Sequence, residues 1–205
     1  MGAILGILTN LAGGSIARLV VAGLFFGASV ATVVTAATGA IFTDTQSVAA
    51  NTFSTGTVDI ATSPTSAVVS FSGMAPGDKV TNPITVSNAG SLQLRYAIKS
   101  TTTEATLAAQ LDMTIKTGVT TCTNAGFGTD GTVIYGAGDL GATTPGLNVV
   151  GDPTQGSQAG DRTLNASANE VLCIQVSLPL ATGNTFQNLT STATLDFLSE
   201  QTVNN

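Results

Sequence analysis

The sequence predicts an all-β domain, a jelly roll or β-sandwich of antiparallel strands, behind an N-terminal export leader. Three observations support this prediction. An uncharged apolar run ends in small residues near position 40, short segments then alternate apolar with polar side chains, and turn clusters rich in Gly, Pro, Asn and Asp separate those segments. Short strands that recur roughly every ten residues between such turns are typical of antiparallel sandwiches.

The leader is predicted to span residues 1–40. Arg18 precedes Leu19–Ala37, a stretch without charge, and small residues follow it. A basic residue, an apolar core and a small-residue boundary form the pattern of a secretory signal peptide. Cleavage is expected after Gly39 or after Ala40. An uncleaved membrane anchor is the alternative, because the apolar stretch is just long enough to cross a bilayer.

Composition excludes several classes of partner. Without residues 1–40 the chain has five Lys and Arg against 12 Asp and Glu. Nucleic-acid binding relies on clustered basic side chains, so neither nucleic acid nor an anionic membrane surface is expected, and membrane contact is expected only through an uncleaved leader. Charged residues make up 9% of the chain and apolar residues 43%, which favours a folded domain over a charge-driven disordered chain.

Residues 51–205 are predicted to form a single β-sandwich domain. Strands are expected at residues 58–60, 67–72, 83–87, 92–100, 113–116, 132–135, 171–178 and 192–198. Period-2 alternation defines one apolar face in each of two segments, and the face in residues 171–178 is the predicted core face. The first face consists of Leu92, Leu94, Tyr96 and Ile98, and the second of Leu172, Ile174, Val176 and Leu178.

Two segments depart from the strand pattern. Residues 104–113 are the one predicted helix, because Leu107 and Leu111 are four residues apart and the Ala and Gln residues around them favour helix. Residues 118–170 are rich in Gly, Asn, Asp, Thr and Pro and contain few large apolar side chains. They are therefore expected to be a loop-rich surface insertion.

The cysteine and histidine counts bear on chemistry. Cys122 and Cys173 are the only cysteines, and an even count outside the cytosol indicates one disulfide. The chain has no His, so catalytic triads with His, Cys–His pairs and His-based zinc motifs are all absent. No catalytic residue, cofactor or metal ligand is therefore expected, and the protein is not expected to be an enzyme.

Two weaker motifs remain open. Four acids in the predicted insertion could bind Ca²⁺ through carboxylate oxygens, but no EF-hand spacing connects them, and solvated loop acids are the favoured interpretation: Asp130, Asp139, Asp152 and Asp161. Asn165-Ala-Ser and Asn188-Leu-Thr match the N-glycosylation pattern, which matters only in a host that modifies it.

Four segments carry motifs whose order and spacing match those of a known family: Thr38–Asp44, Asn51–Ile60, Met74–Val80 and Val86–Leu92. Together they resemble the TasA/camelysin family of exported, fibre-forming matrix proteins, and the closing segments 172–179 and 192–201 are similar more loosely. The resemblance implies a jelly-roll subunit that is exported by a Sec-type leader and processed by a dedicated signal peptidase. Such subunits build extracellular or cell-surface fibres of biofilms as head-to-tail homopolymers, with room for accessory matrix or anchoring subunits.

The resemblance also implies a mechanism of assembly. In the family the freed N-terminal segment completes the sheet of a neighbouring subunit by donor-strand exchange, which satisfies unpaired backbone groups at a sheet edge. On this chain the donor strand would be residues 41–50. Ile41, Thr43 and Thr45 would show one face, and Phe42 and Val48 the other. A loose tail or an edge strand of the subunit's own sheet is the alternative.

Two further functions are weighed against the fibre subunit. Camelysin-type members carry a metalloendopeptidase label, but this chain has no His and no zinc-peptidase motif. A monomeric surface adhesin or binding module is the other rival. It would need exposed aromatic rings for stacking, and the chain has no Trp and only Tyr96 and Tyr135 as tyrosines.

Overall fold

Nine strands and one short helix make up the described part of the chain. The computed structural model describes residue 52, residues 54–66 and residues 73–203. The chain divides into two compact units, Met1–Phe53 and Ser54–Asn205, and every element below lies in the second unit. The strands are β1 (Ile60–Ser63), β2 (Lys79–Asn88), β3 (Leu94–Thr102), β4 (Asp112–Thr117), β5 (Thr132–Asp139), β6 (Leu147–Val150), β7 (Arg162–Leu164), β8 (Asn169–Ser177) and β9 (Ala193–Gln201), with helix α1 (Ala105–Gln110) and a 3-10 turn (Asn184–Phe186).

The strands form two antiparallel sheets, which confirms the all-β sandwich class. The first sheet has the order β1-β2-β8-β4-β5. In the second sheet β3 is central. β9 pairs with β3 along nine consecutive residues on one side, while β6 and β7 pair with its two halves on the other.

Alternating apolar side chains fill the space between the sheets. The core face predicted for residues 171–178 is confirmed, because its four side chains are at most 6% exposed. On the other predicted face Leu94, Tyr96 and Ile98 are buried, whereas Leu92 precedes β3 and is only partly buried. Two sheets that each turn an apolar face inward therefore share one core.

The outer face of β3, which faces away from the core, is also partly buried. The polar side chains on this face did not predict that burial. Arg95 is 8% exposed and forms an ion pair with Glu200 of β9 at 2.9 Å. Glu200 in turn accepts the backbone N–H of Gly156 at 3.0 Å. The loop between β6 and β7 therefore lies against this face, and Ala97 beside it is buried as well.

Helix α1 is shorter than the sequence pattern predicts. It spans Ala105–Gln110, and the carboxylate of Glu104 caps it by accepting the N–H groups of Thr106 and Leu107 at 2.8 and 2.6 Å. Leu111 already has extended backbone angles. The predicted helix is too long because Leu111 lies four residues after Leu107, as it would in a helix. In the structure Leu111 is buried in the core, but it follows the end of the helix.

Turns and loops predominate over residues 118–170, as expected, but this stretch also contains strands. β5, β6 and β7 all lie within it, and β6 and β7 complete the second sheet. Val149, Val150 and Leu164 from these strands are at most 6% exposed. Strands of three or four residues need only one or two apolar side chains to join a core, which is too weak a pattern to stand out among Gly and Asn.

Several strand boundaries shift, and some predictions fall outside the described residues. β1 begins where the strand predicted at 58–60 ends, and β2 and β9 are longer than predicted. The strand predicted at residues 67–72, the leader with its cleavage positions Gly39 and Ala40, and the donor segment 41–50 all lie outside the described residues.

Candidate functional site

The candidate site is a gap between the two sheets, where the first and last strands do not meet. β1 lies at one edge of the first sheet, and β9 lies at one edge of the second. Within the described part of the chain β1 pairs only with β2, and β9 only with β3. Each strand therefore has one edge without a strand partner among the described residues, and we call the space between these two edges the strand gap.

The strand gap has an apolar floor and a hydroxyl-rich rim. It encloses a cavity of about 550 Å³. Its floor and walls include Met74, Val80, Ile84, Leu111, Met113, Leu140, Ile174, Val176, Leu195 and Phe197, and its rim includes Thr62, Thr65, Ser66, Thr190, Ser191, Thr192 and Thr194. Of the described residues, none that lines this cavity is charged. Such a surface suits an extended, uncharged peptide better than an ionic ligand.

The length of the strand gap matches a strand. A second cavity lies along the same two strands and shares Thr62, Leu195 and Phe197 with the first. It is also lined by Ile60, Thr101, Pro145 and Leu198 and by two charged residues, Lys99 and Asp196. The two cavities together follow residues 190–198 on one side. At about 3.3 Å per residue, nine residues of extended chain cover about 30 Å.

The core side of β9 is incompletely covered. Ala193, Leu195 and Phe197 pack against the core, yet all three remain partly exposed. The ring of Phe197 contacts Tyr96 at a centroid distance of 6.2 Å. Among the described residues, no strand other than β3 pairs with β9.

The other sheet edges are irregular or short. β5 pairs with β4 through two register shifts, and its Ala137 has φ 43. β6 and β7 have only four and three residues. Bulges and short strands protect sheet edges against pairing with other chains. β9 has nine residues in unbroken register with β3, so it is the described edge best suited to accept a strand.

The predicted disulfide is present and holds a loop on the outer face of the first sheet. Cys173 lies in β8 and Cys122 in the loop after β4, and their sulfurs are bonded. Lys116 of β4 donates to the carbonyl oxygens of Phe127 and Asp130, at 2.7 and 3.2 Å. Its ammonium also lies 4.8 Å from the centre of the Phe127 ring. The loop thus covers the sheet on the side opposite the core.

Three of the four acids considered for calcium, Asp130, Asp152 and Asp161, accept backbone N–H groups in turns. Hydrogen bonds from Thr120 hold the pKa of Asp130 below its usual range, and the N–H of Thr154 does the same for Asp152. Asp161 accepts the N–H of Asp152 at 3.0 Å. Over residues 54–66 and 73–203 no three His, Cys, Asp or Glu side chains cluster in a way that could hold a metal ion.

The tyrosines and the glycosylation motifs lie in different surroundings. Tyr96 is 1% exposed, and Tyr135 is half-buried with its hydroxyl donating to the carbonyl of Asp139 at 2.8 Å. Neither offers an open ring for sugar stacking. Asn165 and Asn188 are both exposed, and the first accepts a hydrogen bond from a neighbouring glutamine.

The sequence predicts a donor segment but gives no sign of the strand gap. The donor residues lie outside the described part: Ile41, Phe42, Thr43, Thr45 and Val48. Nothing in the local pattern of residues 60–63 or 193–201 marks those strands as edges, because an edge strand and a central strand can share the same alternation. The three half-buried apolar side chains of β9 become informative only once its neighbours are known.

Comparison with known families gives one match. A family model described as camelysin metallo-endopeptidase matches residues 15–124, more than half of the chain. Comparison with curated proteins gave no match. As for membrane spans, the helices in the described ranges are too short or too polar to cross a bilayer.

Proposed function

This chain belongs to the camelysin metallo-endopeptidase family, and from that premise we propose that it is a secreted structural subunit of extracellular or cell-surface fibres. Subunits would join head to tail when the N-terminal segment of one chain adds a strand to the next. The partner is another copy of this chain, with accessory matrix or anchoring subunits as additional candidates. Neither nucleic acid nor a cofactor has a part in this proposal.

One observation supports the proposal above the others, namely the apolar cavity beside the nine-residue edge of β9. A peptide that adds to a sheet edge gains main-chain hydrogen bonds, and its alternate side chains fill pockets. The strand gap offers both features, since β9 has an unbroken register and Leu195 and Phe197 remain half-covered. The protected edges elsewhere favour addition at this place.

The donor would be residues 41–50, whose ten residues are long enough for the gap. The face of Ile41, Thr43 and Thr45 carries no charge and therefore suits the apolar floor. The opposite face carries Phe42 and Val48, together with Asp44, which stays nearer to solvent. A contact that uses different surfaces on donor and acceptor does not close on itself, so repetition gives a filament.

Export and cleavage complete the proposal. Removal of residues 1–40, after Gly39 or Ala40, would free the donor segment outside the cell. Localisation would then be the cell surface or the extracellular matrix. Cleavage would also serve as the activating step, since the donor segment stays joined to an apolar leader until that bond is cut.

Peptidase activity is the second candidate function, because the family description names a metallo-endopeptidase. That description is evidence against the expectation that the protein is not an enzyme. A zinc peptidase site needs His or carboxylate ligands gathered around one open position. The chain has no His, its cysteines form a disulfide, and the described acids do not cluster in threes. These residues do not fit a zinc centre.

Electron microscopy of the purified protein starting at Ile41 tests the fibre proposal. Filaments are expected from this form, while the same protein starting at Asn51 should stay monomeric. A fluorescent peptide of residues 41–50 should bind the shortened form, and the same peptide with Thr45→Pro should bind at least tenfold more weakly, because proline removes a main-chain donor. Equal polymerisation of both forms would overturn the proposal.

A proteolysis assay addresses the second candidate. Mature protein should leave an unfolded casein substrate intact with added Zn²⁺ and with a chelator alike. Cleavage that requires Zn²⁺ and stops with chelator would favour the peptidase over a purely structural subunit.

A further inference from the structure

The loop between β4 and β5, residues 118–131, is held on the outer face of the first sheet, and we call it the latch loop. Its Cys122 is bonded to Cys173 of β8. The Nδ2 of Asn124 in this loop donates a hydrogen bond to the carbonyl oxygen of Lys79 in β2 at 2.8 Å. The latch loop is therefore attached to two strands of the sheet, by one covalent bond and one hydrogen bond.

A cation from a third strand adds to this attachment. The Nζ of Lys116 in β4 donates to the carbonyl oxygens of Phe127 and Asp130 in the latch loop and lies 4.8 Å from the centre of the Phe127 ring. Within the ranges 54–66 and 73–203 no carboxylate forms an ion pair with this ammonium. Its charge is therefore able to stabilise an anion that forms beside it.

The two cysteines differ in their access to solvent. Cys173 is 1% exposed, whereas Cys122 on the latch loop is partly exposed. A disulfide is opened when a thiolate attacks one of its sulfurs, and access helps to decide which sulfur is attacked. Cys122 is therefore the cysteine that a small thiol reaches from solution.

Cys173 has the cation for a neighbour. In the register of β4 with β8, Lys116 lies directly opposite Cys173. Both side chains are on the outer face, because Ile115 and Ile174 next to them point into the core. Directly opposite residues have Cβ atoms about 5 Å apart. An ammonium at such a distance lowers the pKa of a thiol, and a thiol of low pKa is the better leaving group in disulfide exchange.

We propose that the Cys122–Cys173 disulfide is a redox-sensitive latch, which small thiols open at the Cys122 sulfur. The thiolate of the reductant forms a mixed disulfide with Cys122, and the original S–S bond breaks with its electron pair on Cys173. A second reductant thiolate attacks the reductant sulfur of this mixed disulfide and displaces Cys122. Two reductant thiols are thereby oxidised to one disulfide, the two cysteines are reduced, and the protons that the reductant lost complete the balance.

Lys116 is the positioning residue of the latch. When Cys173 leaves as a thiolate, it competes with the carbonyl oxygens of Phe127 and Asp130 for the Lys116 ammonium. Opening therefore weakens the polar attachment of the latch loop as well as its covalent one. An exported chain would close the latch only after it has left a reducing compartment.

A brief exposure of the oxidised protein to reduced glutathione, quenched with acid, tests which sulfur is attacked. Peptide mass spectrometry should find glutathione on Cys122 in at least about tenfold excess over Cys173, because only the first cysteine is accessible. Glutathione mainly on Cys173 would overturn the inference. So would a disulfide that resists glutathione until the domain unfolds.

Lys116→Met tests the positioning role, because it removes the charge from a side chain of similar length. Reduction by excess glutathione should be at least about threefold slower than in the wild type, as expected when the pKa of the leaving thiol rises by about one unit. Lys116→Arg should restore the rate. Lys79→Met is the matched control, since this exposed lysine lies opposite Ser177 on the same face, and its rate should be unchanged. Equal or faster reduction of folded Lys116→Met would remove Lys116 from the mechanism.

Hydrogen exchange measured by mass spectrometry follows the opening itself. Full reduction should speed exchange at least about tenfold in residues 119–130 and leave β3 and β9 unchanged, since local opening exposes only local amides. Unchanged exchange in the latch loop would contradict its release. None of these measurements involves filaments, so their outcome is independent of the proposed function.

Discussion

The phenol of Tyr96 in β3 donates a 2.6 Å hydrogen bond to Glu170 in β8, and this bond joins the two sheets. Arg162 of β7 forms an ion pair with the same carboxylate. Three strands from two sheets therefore meet at one acid. Burial raises the pKa of Tyr96 above its usual range, and the hydrogen bond to Glu170 adds to the effect.

Replacing Tyr96 by Phe should lower the free energy of unfolding by about 1–2 kcal/mol, because a buried hydrogen bond is lost while Glu170 keeps Arg162. Urea denaturation followed by circular dichroism measures the change. Tyr135→Phe is the control, since its partner is an exposed backbone carbonyl, and it should change stability by less than about 0.5 kcal/mol. Equal effects of the two variants would contradict a special role for the inter-sheet bond.

Stability should fall at alkaline pH through the same tyrosine. The phenol of Tyr96 ionises near pH 10 in the unfolded chain but only at higher pH in the fold. Its contribution is therefore fully present below about pH 10 and is lost as the pH rises toward the pKa of the folded state. Urea midpoints measured from pH 8 to pH 11.5 should decline more steeply for the wild type than for Tyr96→Phe. Parallel declines would show that other groups dominate.

Loss of the disulfide should weaken the fold without abolishing its strands. The bond joins residues that are 51 positions apart, and cross-links of this span contribute about 2–4 kcal/mol. The double variant Cys122→Ala/Cys173→Ala should show that loss in urea, while its far-ultraviolet spectrum stays that of a β protein. Reducing agent should lower the wild-type midpoint and leave the double variant unchanged, which serves as the control.

A charge in the strand gap should block strand acceptance. Leu195→Asp places a carboxylate against the apolar floor and should slow filament growth at least tenfold, because a donor strand would bury that charge. Val171→Asp makes the same change on the outer face of β8, where the side chain is 45% exposed, and growth should be normal.

Leu195→Asp also distinguishes the donor role of a subunit from its acceptor role, because it changes only the acceptor edge. Leu195→Asp keeps its own N-terminal segment, so mixing it with wild type should cap filaments and shorten them. Circular dichroism checks the fold, and Leu195→Thr offers a milder change should Leu195→Asp unfold. Normal growth of folded Leu195→Asp would remove β9 as the acceptor edge.

Much of the architecture follows from local pattern. Alternation in residues 171–178 predicted which side chains of β8 enter the core, and the two cysteines predicted their own bond. The predicted helix lies at the observed position but is too long, because the spacing between Leu107 and Leu111 is the same whether or not the helix continues to Leu111. β6 and β7 escaped prediction because so few apolar side chains mark strands of three and four residues.

The sequence by itself determined the class of fold, the disulfide, the absence of histidine chemistry and the family to which the chain belongs. Each of these depends on residue identity or on short-range periodicity. Only the tertiary structure decided that β1 and β9 lie at sheet edges among the described residues, that an apolar cavity lies beside them, and that Ser91 and Leu92 hydrogen-bond to Thr57. Edges and gaps arise from pairings between strands more than a hundred residues apart, such as Leu94 with Gln201, and local side-chain patterns do not encode which partner a strand lacks.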